Sequence, residues 1–171
     1  MNGKQIASLL LGGEESMEVS TERLVELEEE AIRHYVSKHN EYLAKINEID
    51  LDDAPSFIIA KAEYWYAWAQ IYASNIAGYY RKQQKLYEAR AEMAQADGYE
   101  AARTNKDERQ LNGATDAQYL SRKAKGEKLE TAAHYEGQFI RWSGITKSYG
   151  DAINSLKDII KSIEKENKGG I

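Results

Sequence analysis

The chain contains no cysteine, which excludes a disulfide framework and thiolate metal sites and points to a reducing compartment. Proline occurs once, at position 55. Elsewhere no residue locks φ or removes a backbone donor, so very long helices are permitted. Long apolar runs are also missing. The stretch Ile6 to Leu11 is too short to span a bilayer and follows only Lys4, so neither a cleaved signal nor a membrane partner is expected, and the reading is a cytoplasmic protein. Glycines stand singly or in terminal pairs with no strand before them, which leaves no phosphate-cradling loop. Histidine is scarce, and Glu30 precedes His34, as Glu130 precedes His134, by four residues. A ferritin-like di-metal helix needs a spacing of three to aim both ligands inward. Carboxylates are plentiful but lie in runs such as Glu26 to Glu30, which read as solvated faces. The sequence thus offers no catalytic set, no metal site and no cofactor motif, and the expectation is a protein that is not an enzyme.

What the chain does have is charge, unevenly spread. The net charge is −5 overall, with residues 1–50 at −6 and residues 81–130 at +2. Such asymmetry orients subunits or steers a polyanion to one face, unless it only marks solvated helix surfaces.

Hydrophobic periodicity predicts an all-α protein: a lead helix, then a long antiparallel helical hairpin, coiled-coil-like and oligomeric. The predicted layout is a flexible stretch over 1–19, one helical domain over 20–166 with helices at about 20–47, 54–105 and 115–165, and a disordered tail at 167–171. The lead helix opens at Ser20 or Thr21 and carries Leu24, Leu27, Ala31, Tyr35, Tyr42 and Ile46 on one side. In the second helix a seam runs through Ile58, Ala62, Trp65, Ala69, Tyr72, Ile76, Tyr79, Gln83, Leu86, Arg90 and Met93, alternating four and three. Between 57 and 80 the other faces are apolar too, with Phe57, Tyr64, Trp68, Ile71 and Tyr80. A helix apolar all round must be buried on several sides, which in so short a chain suggests a partner subunit. Trp65, Trp68, Tyr72, Ile76 and Tyr79, with Phe139 and Trp142 on the third helix, are the candidate oligomer interface. A base-stacking platform is the sharper alternative for these aromatics. In the third helix Gly137 and Gly144, seven apart on one face, are candidates for close backbone approach.

Two basic sets flank the turn predicted near Gly113. The first is Arg81, Lys82, Lys85 and Arg90, and the second is Arg103, Lys106 and Arg109, followed by Arg122, Lys123, Lys125 and Lys128. In an antiparallel hairpin they lie alongside each other toward its tip. Phosphate contacts combined with sequence-tolerant stacking would suit single-stranded nucleic acid. Glu88, Glu92, Asp107 and Glu108 are interleaved with them.

Over residues 50–165 the layout resembles the UvsY-type recombination mediators of bacteriophages. The resemblance is carried by the acidic opening Ile49–Asp53, the aromatic helix Glu63-Tyr-Trp-Tyr-Ala-Trp68, the basic arm Tyr80-Arg-Lys-Gln-Gln-Lys85 with Glu88-Ala-Arg90, the segment Lys123–Lys128, and the final helix with Phe139-Ile-Arg-Trp142 and Ala152–Leu156. The acidic lead helix and the low pI of about 5.4 depart from that pattern. The resemblance implies a homo-oligomeric ring that binds single-stranded DNA on the basic arm and helps load a recombinase onto strand covered by single-strand-binding protein, in the host cytoplasm. The alternative is a protein-only interaction module, such as a viral inhibitor or assembly factor built on a helical bundle, for which the 57–80 aromatics are the partner surface.

Overall fold

A computed structural model describes residues 21–52, 54–104 and 114–169. It contains three helices: α1 (Thr21–Asn47), α2 (Ser56–Thr104) and α3 (Ala114–Gly169), with no strand among the described residues. The expected flexible N-terminus, Lys106 and Arg109 lie outside the described residues, and α3 continues to Gly169. No helix among the described residues is long and apolar enough to cross a membrane. The chain divides into two compact units between Ala31 and Ile32. In the first, the turns of α1 up to Ala31 leave Val25 and Leu27 exposed. The second holds the rest of α1 with α2 and α3.

Pro55 stands immediately before α2, where its fixed φ and missing N–H cost no helical hydrogen bond, and its carbonyl accepts from Ile58 N–H at 2.9 Å. The acidic connector ahead of it is tightened by Asp50, whose Oδ1 accepts from Asp52 N–H at 3.0 Å.

α2 and α3 form an antiparallel hairpin. Glu63 pairs with Lys157 at 3.6 Å, the Gln70 amide donates to the Thr146 carbonyl at 3.1 Å, Tyr87 meets Tyr135 at 5.4 Å, and Lys125 bridges Glu92 and Gln95 at 2.7 and 2.9 Å. Residue numbers rise on one helix as they fall on the other, which fixes both direction and register. Near the connector the core is Ile59, Ala62 and Leu156, flanked by Ile49, Tyr66, Ile160 and Ile163.

The inward line of α2 corrects the expected seam. It runs Ala62, Ala69, Ile76, then steps by one residue to Ala77, Gln84 and Ala91, reaching Ala102. Leu86 and Met93, expected inside, are 39% and 64% exposed, and Arg90 is exposed. A straight α-helix drifts about 20° per heptad from a perfect seven-residue repeat, so about five heptads accumulate about 100°, the angle of one residue. Small side chains then decide which neighbouring line faces α3. Alanine lets the backbones approach, whereas Leu86 and Met93 would hold them apart.

The backbones come close at Gly98, where a Cβ would lie 3.3 Å from the Ser121 Cα, a backbone atom unable to move alone. Gly137 and Gly144 are different: a Cβ there meets nothing within 4 Å, so they do not mediate the close contact their spacing suggested. Gln84, buried in the seam, is fully engaged. Its Oε1 accepts from Arg81 at 2.7 Å and its Nε2 donates to Glu88 at 2.8 Å. No buried side-chain nitrogen or oxygen among the described residues lacks a partner.

Alanine substitutions should therefore separate by sign. Gly137→Ala and Gly144→Ala gain helix propensity in open space and should each stabilise by up to about 1 kcal/mol in urea unfolding. Gly98→Ala meets the Ser121 backbone, and overpacking of about 1–3 kcal/mol should cancel or reverse that gain.

Candidate interaction surfaces

Three surfaces emerge: an aromatic seat for α1, a polar groove toward the hairpin tip, and an exposed apolar line on the outer side of α2.

The seat is built from residues that helical spacing brings to adjoining faces. Tyr42 stacks on Trp68 at 6.0 Å and 12° and on Tyr72 at 5.9 Å and 19°, and Tyr35 approaches Tyr72 at 6.4 Å. On α3, Trp142 meets the His39 ring edge-on at 5.0 Å. His39 is 4% exposed and links α1 to α3 through Nε2 and the Tyr149 hydroxyl, 2.9 Å apart, while Nδ1 lies 3.3 Å from Asn40 Oδ1. Asn40 Oδ1 can only accept, which calls for a proton on Nδ1 and leaves Nε2 to accept from the Tyr149 hydroxyl, whose pKa burial raises above its ordinary range. The matching tautomer carries its proton on Nδ1 toward Asn40. His39 is thus a packed, hydrogen-bonded group between α1 and α3. Beside it a groove of about 710 Å³ between α1 and α3 is lined by Val36, Leu43, Ile145 and the exposed Arg141, among others.

These contacts redistribute the candidate oligomer interface. Ile76 is wholly enclosed within the chain, because it sits on the inward line where α2 meets α3, and so offers no surface to another subunit. Trp68, Tyr72 and Trp142 serve α1 within the chain. Phe139 lies under the Arg81 guanidinium at 5.1 Å, Tyr79 lies edge-on to Tyr80 at 5.5 Å, and Trp65 lies under Lys61 at 4.8 Å. Between 57 and 80 the large apolar side chains left outside on α2 are Phe57, Tyr64 and Ile71.

No protein-family model, curated protein or solved structure matches the chain.

The basic arm does not form one stripe within a chain. Arg81 and Arg90 are nine residues apart, which at about 100° per residue places them on opposite sides of α2. Lys85 pairs with Glu88 at 2.6 Å and Lys125 with Glu92 at 2.7 Å. Lys82 is exposed on the outer half of α2. Arg90 rests over Tyr87 at 5.0 Å and Arg103 over Tyr99 at 5.9 Å. Arg122, Lys123 and Lys128 on α3 are exposed and pair with no acid among the described residues.

Toward the tip, α2 and α3 enclose a groove of about 510 Å³ lined by Glu92, Gln95, Tyr99, Gln118, Ser121 and Arg122. Lys125 holds the one carboxylate of that lining, which leaves Arg122 as its uncompensated charge. The groove brings together an aromatic side chain, two amide side chains and a cation. Sequence reasoning named Arg122 but missed Tyr99, Gln95 and Gln118. The only available signal was the seven-residue step from Glu92 to Tyr99, which is unremarkable on a surface helix. No group of three or more metal-ligating side chains stands together among the described residues.

The His39–Tyr149 link can be measured by a double-mutant cycle in urea unfolding. Tyr149→Phe should cost about 1 kcal/mol. His39→Ala should cost more, because it also empties the space beside Trp142. The coupling between the two should be about 0.5–1.5 kcal/mol, and additive costs would mean the hydrogen bond contributes nothing.

Proposed function

We propose that this protein acts by binding, as a recombination-mediator-like oligomer that takes single-stranded DNA along the tip half of its hairpin and assists recombinase loading. The observation that carries the DNA part is the groove that places Tyr99 beside Arg122, with Gln95 and Gln118 as hydrogen-bonding groups. Every nucleobase has a π-face, so an exposed tyrosine stacks without regard to sequence. The cation beside it meets the phosphate that follows each stacked base. Arg90 and Arg103, resting on tyrosine rings, and Lys123 and Lys128 on α3 add positive charge around the same half of the hairpin. The resemblance in layout to UvsY-type mediators supports the same reading and supplies the recombinase and single-strand-binding protein as partners.

A protein-only interaction module is the second reading, favoured by the apolar side chains exposed on the outer side of α2. The two readings part on nucleic-acid binding.

In fluorescence anisotropy with a labelled single-stranded oligonucleotide, binding should weaken steeply with salt, the slope reporting the phosphates neutralised. Tyr99→Ala should lose about 1–3 kcal/mol, from about fivefold to about 150-fold in affinity. Arg122→Glu should weaken binding to all sequences alike and flatten the salt slope by about one or more. Flat anisotropy at low salt from folded protein would replace this reading with the protein-only one.

A further inference from the structure

Seven positions on the outer side of α2 repeat in steps of three and four: Phe57, Ala60, Tyr64, Ala67, Ile71, Ser74 and Gly78. This is the spacing of a coiled-coil seam, but it faces away from α3. Phe57, Tyr64 and Ile71 are 68%, 56% and 48% exposed, and Ala60, Ser74 and Gly78 are exposed with them. From 57 to 74 the large side chains occupy one set of heptad positions and the small ones the other, and Gly78, next in the large set, ends the pattern.

We infer that this seam pairs antiparallel with the same seam of a second copy, across a two-fold axis between Trp65 and Tyr66. The inference rests on the assembling part of the proposed function and supplies its contact surface. In an antiparallel pair of helices, each a position packs against a d position of the partner. The pairing then sets Phe57 against Ser74, Tyr64 against Ala67 and Ile71 against Ala60, each large side chain meeting a small one. A parallel pairing would set Phe57 on Phe57 and Ser74 on Ser74, leaving alternate clashes and gaps.

Charge selects the same arrangement. The only charged residues from Ser56 to Tyr80 are Lys61 and Glu63, which fall beside Gln70 and Trp68 of the second copy, so no like charges meet. Beyond the seam the register carries the acidic connector, with exposed Glu48, Asp50 and Asp52, alongside Arg81, Lys82 and Lys85 of the second copy. Two-fold symmetry forms that contact twice. The three large side chains offer on the order of 300 Å² per copy. The small residues, the Lys61 and Lys82 stems and the two end contacts extend the seam over more than about 30 Å of helix, toward the roughly 600 Å² per partner at the low end of stable dimers. The tip-side residues Arg90, Arg103, Arg122 and Lys123 stay outside the contact, so the basic arm is divided between assembly and nucleic acid.

The test uses the full chain, whose lack of cysteine makes introduced thiols unambiguous. Light scattering should give twice the monomer mass of 19.4 kDa or a multiple of that dimer, and Ile71→Asp should halve the dimer mass while circular dichroism stays unchanged. Under oxidation, Phe57→Cys protein mixed with Ser74→Cys protein should form a mixed disulfide, and neither alone should cross-link. A monomeric wild-type chain, self-linking of Phe57→Cys, or an Ile71→Asp protein of unchanged mass would overturn the pairing. Oligonucleotide anisotropy on the same Ile71→Asp protein keeps the two readings apart, since Arg122-dependent binding by a monomer retains the DNA site whatever becomes of the seam.

Discussion

Ala69, Ala73, Ala91 and Gly98 on α2, with Ala117, Ser121 and Ala132 on α3, let two helices of 49 and 56 residues approach almost backbone to backbone. A side chain that ends at Cβ leaves no room for slack, so a mismatch of a few tenths of an ångström is felt directly. Contacts of this kind bury less apolar area per residue than leucines would, and they fix register more sharply. The rest of the hairpin follows from that register. Gln70 reaches the Thr146 carbonyl beside Gly150, where a Cβ would lie 2.9 Å from the Gln70 Nε2 and make that side chain shift. Lys125 reaches Glu92, and Tyr87 meets Tyr135, at the same offset.

Because the inner seam is made of small residues, the large ones are displaced to other faces. Trp68 and Tyr72 form the seat for α1, Arg81 covers Phe139, and Phe57, Tyr64 and Ile71 go outward. This division explains how α2 can be apolar on every side between 57 and 80 and still have a narrow core. One face meets α3, one meets α1, and the outer one meets solvent within a single chain.

Helix number, helix type and hairpin topology were legible in the sequence, since a single proline at position 55 and unbroken periodicity leave few alternatives. The inner line was legible only in its first half. Ala62, Ala69 and Ile76 fit a strict heptad, but the drift of a straight helix then favours Gln84 and Ala91 over Gln83 and Arg90, and a fixed repeat does not register that drift. His39 was unreadable for a related reason. Its burial depends on Trp142 and Tyr149, more than one hundred residues away, and no local spacing announces that meeting. Of the candidate DNA residues, Arg122 was visible as a basic residue, whereas its groove arises from the hairpin register that sets Tyr99 and Gln95 beside Gln118.

Length gives α2 room for two roles. A helix rises about 1.5 Å per residue, so Tyr64 and Tyr99 stand about 50 Å apart along it. At that distance exposed charges are screened at physiological salt, where the Debye length is about 8 Å, and one end cannot influence the other through space. Assembly at the outer seam would then leave the affinity of any single groove unchanged and act by number instead. On the proposed function, copies joined along α2 would present several grooves to one strand, and the gain would come from effective concentration. A weak, sequence-tolerant groove is compatible with tight binding on those terms. Several weak grooves would also let a bound strand be released one groove at a time, as the proposed transfer to another protein requires.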